Sequence, residues 1–444
     1  MDMREARSRL IAAMRGQAGR DPLPLTADQQ AIWLAEQVDP GRSGYHVTGG
    51  LRVMGALDVS ALRSAFTVLQ DSHEALRCRV LDVGGEPRQT FDVRRLDWSE
   101  RDLAAAAPQA REIVLGRLVA MEATEPFDLA EGPLWRVRLI RTTSDEHVLL
   151  VIMHHLITDG RSLEVLLGDL LVQYEAALTG RPAPPRQPGD PYARWIAARV
   201  RQERQACTDE AMRRITARLG NAPYRPELPG LGPSGPEPVA ARLELPCPPD
   251  VWPALAGICH RLGATANMAL TGLFGLLLAR VTGDREIVMA APFANRADPA
   301  TAGLLGCLMS LIPISVPITA DDSPAEAVAA GRRALLAALR DTDVPYSLIA
   351  RTLGLVSGTG DPLTSIGLQE FNTVIEPCEV AGVRLEQLPR EAMRLRYDLA
   401  LSIPTRLSRT PELLYTPERW ATGSVEALAE ELAAMVVQVA TATS

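Results

Sequence analysis

The chain has 444 residues, 46 basic and 54 acidic side chains, a formal charge of -8 and 47% hydrophobic residues. That length exceeds what one hydrophobic core normally serves, so two domains or lobes are expected. The acidic balance with no basic stripe excludes a nucleic-acid partner, and no apolar run approaches the roughly 20 residues of a membrane helix. Met1 to Arg20 has no apolar stretch of the secretory kind. The six cysteines are scattered, which argues for reduced thiols in a cytoplasmic setting and against a disulfide framework or a zinc site.

In chain order, Thr26 and Gln29 have the spacing of a capping box and open a helix carrying Ile32, Trp33 and Leu34. Leu62, Ala65, Phe66 and Leu69 then share one helical face ahead of His73-Glu74-Ala75-Leu76-Arg77. From Leu134 to Ile140, Trp135, Val137 and Leu139 alternate with Arg136 and Arg138, the period of a strand with one buried face. A turn at Thr143-Ser144-Asp145 leads into Val148 to Met153, an unbroken apolar run that predicts a strand buried on both faces. Next comes His154-His155-Leu156-Ile157-Thr158-Asp159-Gly160, expected to form a strand-to-helix loop, with Ser162 as the cap of a helix bearing Glu164, Leu166, Leu167 and Leu170.

Gly180 to Pro191 holds five prolines and Pro223 to Pro238 is again rich in Pro and Gly, so the first lobe is expected to end near Leu178. One helix of roughly Tyr192 to Leu219 bridges the two loose segments. Helical periodicity returns between Asp250 and Val281, a strand follows at Ile287 to Ala291, and α and β alternate throughout. Arg194, Arg199, Arg201 and Arg204 form a local basic run, read first as a solvated helix face and second as a surface for an acidic carrier protein.

The paired histidines carry the chemistry. A neutral imidazole has a lone pair and a pKa near working pH, so His155 can take a proton from an attacking amine or hydroxyl, worth about 10²- to 10⁴-fold in rate. Consecutive extended residues point to opposite sides, so His154 is expected to be buried as support while His155 faces a cleft. Asp159 is read as an organiser that needs an Arg partner, with Arg296 and Arg77 as candidates, and Gly160 permits close approach of a substrate. Two other readings stand beside this one. A metal held by His155 and Asp159 would need helical spacing and a third ligand that no His or Cys cluster supplies. A purely structural pair would have to meet a desolvation cost that ordinary packing does not require.

Taken together these segments resemble the condensation domains of nonribosomal peptide synthetases, along nearly the whole chain. Leu23-Pro24-Leu25-Thr26 with Gln29 and Trp33, the His73 to Arg77 segment, Phe127-Asp128-Leu129 with Gly132-Pro133-Leu134, and the histidine motif are similar to the family's first-half segments. Pro292-Phe293-Ala294-Asn295-Arg296, Leu311-Ile312-Pro313, Val344-Pro345-Tyr346, Tyr397-Asp398-Leu399 and Tyr415 are similar to the later ones. The departures are Arg161 where relatives carry an aromatic, Ser72 where they carry Arg, and Cys307 to Ser310 in place of a stretch ending in Asn-Thr.

The resemblance implies an α/β fold, an α+β sandwich, of two chloramphenicol-acetyltransferase-like lobes in a V around a substrate channel. Residues 1–178 would form the lobe with the motif, and residues 179–444 the other, with a crossover near 292–313. It implies that His155, Asp159 and Gly160 carry catalysis, that His154, Arg296 and Arg77 support them, and that Ser310, Gln369 and Arg161 contact substrate. Arg296 is the favoured partner of Asp159, leaving Arg77 for Glu74 or the loop. The implied reaction joins an acyl or aminoacyl group, held as a thioester on the phosphopantetheine of a peptidyl or acyl carrier protein, to an amine or hydroxyl on a small molecule or second carrier. Amide and ester products, as in natural-product and antibiotic biosynthesis, both stay open. No metal or other cofactor is expected. The chain is read as a free-standing enzyme that meets its carrier in trans. A coenzyme A-dependent acyltransferase with the same histidine motif and a non-catalytic platform that recruits carriers are the alternatives.

Overall fold

The computed structural model describes residues 21–38, 45–181, 183, 191–220, 222–233, 240–355, 363–371, 377–388, 395–404 and 409–442. Of the expected Pro- and Gly-rich loops at 180–191 and 223–238, residues 182, 184–190 and 234–238 lie outside the described residues. The elements, in order, are β1 (Leu23–Pro24), α1 (Ala27–Val38), β2 (His46–Met54), α2 (Val59–Ser72), β3 (Arg79–Asp82), β4 (Pro87–Thr90), β5 (Trp98–Asp102), α3 (Pro108–Thr124), β6 (Trp135–Arg141), β7 (Glu146–His154), α4 (Gly160–Thr179) and α5 (Tyr192–Ala206). They continue as α6 (Asp209–Leu219), β8 (Ala241–Glu244), α7 (Val251–Arg261), α8 (Ala266–Thr282), β9 (Glu286–Phe293), β10 (Ser310–Pro317), α9 (Pro324–Ala338) and α10 (Tyr346–Thr352). The last are β11 (Ile366–Phe371), β12 (Cys378–Val380), β13 (Val383–Gln387), β14 (Leu399–Pro404), β15 (Glu412–Tyr415) and α11 (Ser424–Thr441).

Two compact units result, and neither is continuous in sequence. The first takes Met1–Gln202, Ala294–Met309 and Thr373–Glu391, and the second takes Glu203–Phe293, Ser310–Asn372 and Ala392–Ser444. This differs from a single cut after residue 178. Tyr192, Ile196 and Val200 of α5 join Leu304, Leu305 and Leu308 in the core of the first unit, and β13 hydrogen-bonds to β2.

The first unit is built on a six-stranded sheet of order β12-β13-β2-β7-β6-β5, antiparallel except for the parallel β5–β6 pair, and a small sheet of order β1-β4-β3. β7 lies inside the larger sheet with helices on both faces. Leu149, Val151 and Met153 enter a core with Leu62, Phe66 and Leu69 of α2 and Leu166 and Leu170 of α4. Val148, Leu150 and Ile152 turn the other way, onto Leu115 and Val119 of α3. Each such side chain stabilises the fold by about 1.5–3 kcal/mol, so six of them make the C-terminal end of β7 a fixed point.

Beside it, β6 departs from a one-faced pattern, because Arg136 is buried as well as its apolar neighbours. Its guanidinium lies 4.2 Å over the Phe127 ring, donates to Glu122 O at 2.8 Å and stands 3.4 Å from the Glu122 carboxylate. Strand periodicity alone places Arg outward. Here α3 covers that face and supplies the partners a buried cation needs.

The second unit has a mixed sheet of order β10-β9-β11-β14-β15-β8, in which β9–β11 and β11–β14 are parallel. The expected helix at 192–219 is two helices, broken at Cys207 and restarted where the Thr208 side chain accepts from Ala211 N. α8 is buried almost all round, from Ala269 to Ala279, and no single described helix is long and apolar enough to cross a membrane. α8 and α9 approach closely through glycines. A Cβ at Gly272 would stand 1.9 Å from Ala327 O, and one at Gly331 would stand 2.3 Å from Met268 O. Gly272→Ala is therefore expected to force the helices apart and lower stability by about 3 kcal/mol or more. Urea unfolding followed by circular dichroism checks this, and an unchanged midpoint would refute the close approach.

Candidate active site

The histidine motif begins on the last residue of β7. His154 is fully buried and ends the strand; His155 opens a one-turn 3₁₀ helix, His155–Ile157, and is half-buried. Side-chain alternation along β7 sends His154 inward on the face of Ile152, beside its cross-strand partner His46. The His154 Nδ1 accepts from Leu156 N at 3.1 Å, and His155 N donates to Tyr45 O at 2.7 Å. Gln29, buried on α1, donates through Nε2 to Leu156 O at 2.9 Å. The turn is thus tied at three successive residues, which fixes where the His155 ring stands. Tyr45 meets that ring edge-on, at 6.3 Å between centroids.

The residue that caps the following helix is Asp159, not Ser162. Asp159 is the N-cap of α4, and Ser162 sits three residues on and completes a capping box with it. Gly160 is therefore the first helical residue, where a helix has no intrahelical bond to lose and glycine costs little. The Asp159 carboxylate is nearly fully buried and strongly satisfied. Oδ1 accepts from Ser162 N at 2.9 Å and from Ser162 Oγ at 2.8 Å, and Oδ2 accepts from Leu308 N at 3.2 Å. Arg296 Nη2 donates to both oxygens, at 2.9 and 3.0 Å. Arg296 is itself held by Nη1 bonds of 2.8 Å to Thr301 O and Leu304 O.

Ser162 Oγ makes a second link, accepting from Gly306 N at 3.1 Å and standing 2.8 Å from Gly306 O, an acceptor its single proton can serve only in place of Asp159 Oδ1. Tyr192 OH adds a bond from Cys307 N at 3.2 Å. Segment 294–309 is in this way clamped to the start of α4, within the first unit.

Electrostatics leave His155 a neutral base. Burial disfavours its imidazolium and lowers its pKa below 6.5, and the nearby Asp159 charge opposes that shift only in part. Its Nδ1 is buried without a hydrogen-bond partner among the described residues. Gly160 is exposed, and a Cβ built there would meet nothing within 4 Å. A side chain at this position would extend into open space beside the motif.

The other candidate residues stand apart from this cluster. Arg77 donates to Gln70 O at 3.0 Å, to Asp71 O and to Phe91 O, closing the C-terminal end of α2. Glu74 accepts from Ala193 N at 2.9 Å. Arg161 is exposed and paired with Glu164 one turn along α4, so it faces away from the core of the motif. Ser310 and Gln369 belong to the second unit, Ser310 buried at the start of β10 and Gln369 half-buried on β11. In the basic run, Arg199 is buried, so the run is no continuous surface stripe. Sequence reasoning missed Ser162 as a partner of Asp159 and missed Tyr192. Gln29 makes the expected box with Thr26, but sequence reasoning missed its side-chain bond to Leu156 O.

These elements and this motif are those of one family. The chain belongs to the condensation domain family, whose model matches residues 20–444. It is 31% identical over 436 residues to phosphinothricin tripeptide synthetase PhsC of Streptomyces viridochromogenes, covering 94% of this chain and 39% of that protein. It is 29% identical over 455 residues to isonitrile lipopeptide synthase of Mycobacterium tuberculosis, covering 98% of this chain and 18% of that protein. The chain thus spans well under half the length of these relatives.

Among solved structures it is similar to the X-domain from teicoplanin biosynthesis in complex with OxyB, with a TM-score of 0.80 and 24% identity over 95% of this chain and 94% of that one. It is also similar to the first condensation domain of the CDA synthetase, with a TM-score of 0.74 and 20% identity over 94% and 96%. These likenesses show the mixed α/β, chloramphenicol-acetyltransferase-like fold.

Because Arg296 neutralises a buried carboxylate and holds two carbonyls, Arg296→Ala is expected to destabilise the first unit by about 3–5 kcal/mol. Asp159→Asn with Arg296→Met should recover part of that loss, since it leaves no unpaired charge. Thermal denaturation of the two single variants and the double variant checks this, and strictly additive effects would show that the pair is not coupled.

Proposed function

We propose that this chain transfers an acyl or aminoacyl group from the phosphopantetheine thioester of a carrier protein to an amine or hydroxyl, forming an amide or an ester. The observation that carries this reading is a neutral His155 held at the end of β7, with its loop braced by Asp159 and Arg296 and open space beside Gly160. Family membership supports the reaction class. In the step, the nucleophile's lone pair attacks the thioester carbonyl and its proton passes to His155. The C–S bond breaks as the C–N or C–O bond forms, and the leaving thiolate takes up a proton. The transfer is redox-neutral and needs no further cofactor. Holding the two reactants in line supplies more of the rate than the base, about 7–11 kcal/mol in favourable cases against about 3–5 for proton transfer.

Two observations favour other readings enough to be tested. The starter condensation domain of rhizomide synthetase was solved with C8-CoA and Leu-SNAC, which supports a coenzyme A donor. The X-domain was solved with a protein partner, OxyB, which supports recruitment without chemistry. The purified protein is incubated with carrier-bound aminoacyl thioesters, their coenzyme A counterparts and a panel of amines and alcohols, with products followed by mass spectrometry. Product from carrier-bound donors, reduced at least about 100-fold in His155→Ala, is the expected result. Turnover of coenzyme A donors alone replaces the carrier, and binding of a partner that is unchanged in His155→Ala with no product from any pair replaces catalysis.

The same assay reads the base directly. Burial makes the imidazolium costly, so the proton is lost at lower pH than from a free imidazole. The rate is expected to rise with pH to a midpoint below 6.5 and to stay flat through pH 8. A midpoint above 6.5 overturns the assignment of His155 as the neutral base.

A further inference from the structure

Behind the reactive histidine lies a second cluster that the reaction does not use. Glu36 on α1, His46 on β2 and His154 present side-chain oxygen and nitrogen atoms that all lie within 4.8 Å of one another. His154 and Glu36 are buried, and His46 is half-buried. Three such ligands suggest a cation site, but the hydrogen bonds decide against it. A carbonyl only accepts, so the 2.8 Å contact of His46 Nδ1 with Ala123 O puts the ring proton on Nδ1. Burial lowers the His46 pKa to about 4, so the ring is neutral and its Nε2 carries a lone pair. The contact at His154 is the reverse. Its Nδ1 accepts from Leu156 N, so in the neutral ring the proton sits on Nε2, where a metal would need a lone pair.

That proton has a place to go. His154 Nε2 lies 3.4 Å from Glu36 Oε1, and the Nε2 atoms of His154 and His46 are both buried with no hydrogen-bond partner among the described residues. The His154 donor thus has a carboxyl oxygen within reach, and the His46 ring, whose lone pair is on Nε2, stands 5.8 Å away between centroids. Two independent contacts, Ala123 O on one ring and Leu156 N on the other, lead to the same assignment.

We propose that Glu36 and His46 are positioning residues that hold His154 in its Nε2–H form, so that His154 Nδ1 is free to fix the turn that presents His155. The chain of effects is short. Loss of the acceptors facing Nε2 lets the ring proton move to Nδ1, where it meets the Leu156 N–H head-on. The 3₁₀ turn then loses the bond that spans His155. An imidazole misplaced by about 1 Å can cost about 100-fold in rate. The inference rests on the proposed chemistry of His155 for its effect on rate, but the state of the His154 ring is observable without any substrate.

The test is nuclear magnetic resonance of protein labelled with ¹⁵N in its six histidine rings, with His154 assigned by substitution, in the wild type and in Glu36→Gln and Glu36→Leu. The wild type is expected to show the His154 ring proton on Nε2 and an unprotonated Nδ1 accepting from Leu156 N. Glu36→Gln keeps an acceptor oxygen and should keep that signal and a kcat within about threefold. Glu36→Leu should move the proton partly to Nδ1, shift the Leu156 amide and lower kcat by about 10- to 100-fold at unchanged KM. A wild-type proton on Nδ1, a Glu36→Leu spectrum identical to wild type, or displacement of the His46 and His154 signals by added Zn²⁺ would each overturn the proposal. If Glu36→Leu fails to fold, the wild-type tautomer and Glu36→Gln still decide it. Absence of product from every substrate pair removes the reaction, not the tautomer, so the two failures are distinct.

Discussion

A single buried carboxylate organises this site. Removed from water, Asp159 would cost several kcal/mol if left unpaired, and the structure surrounds it with donors from two distant parts of the chain. Ser162 contributes its N–H and hydroxyl from the next turn of helix, while Leu308 N–H and Arg296 come from a segment about 140 residues further on. Neither segment can satisfy the charge alone. The carboxylate therefore fixes the start of α4 and the path of residues 294–309 in the same act, and the position of His155 follows from where α4 begins.

The second constraint is the packing of β7. Its side chains alternate between two cores, one against α2 and α4 and the other against α3, so a shift of one residue would exchange every contact. Register, not the motif itself, decides which histidine is buried. Continuing the alternation puts His154 on the α3-facing side next to His46, and the strand ends before His155 can be drawn in.

Much of this was legible in sequence because it depends on local pattern. The apolar run at 148–153, the turn at 143–145 and the Thr26/Gln29 box all follow from neighbours within a few residues. Misreadings arose where a distant element supplies the partner. Ser162 looked like the cap because it directly precedes the helical pattern of Glu164, Leu166, Leu167 and Leu170, yet Asp159 has the capping geometry and Gly160 costs little at the first position. Arg136 looked exposed because strand alternation says nothing of α3 and Phe127 on the other face. The Arg296–Asp159 pair was suggested through family resemblance rather than spacing, and no local signal links Glu36, His46 and His154. The interleaved make-up of the two units was hidden for the same reason, since it depends on β13 pairing with β2 and on α5 packing against 304–308.

The adjacent histidines show how one residue type serves two ends when the backbone divides them. Both rings are shielded from water, but the shielding acts differently on each. At His154 both ring nitrogens face protein, Nδ1 meeting the Leu156 N–H and Nε2 lying 3.4 Å from Glu36 Oε1. At His155, which is only half-buried, desolvation lowers the pKa and favours the neutral ring, with the Asp159 charge opposing that shift in part. Exchanging the two roles would require a one-residue shift of β7 against both its cores. The placement of the two rings is thus set by the register of a strand whose apolar side chains are packed into two cores.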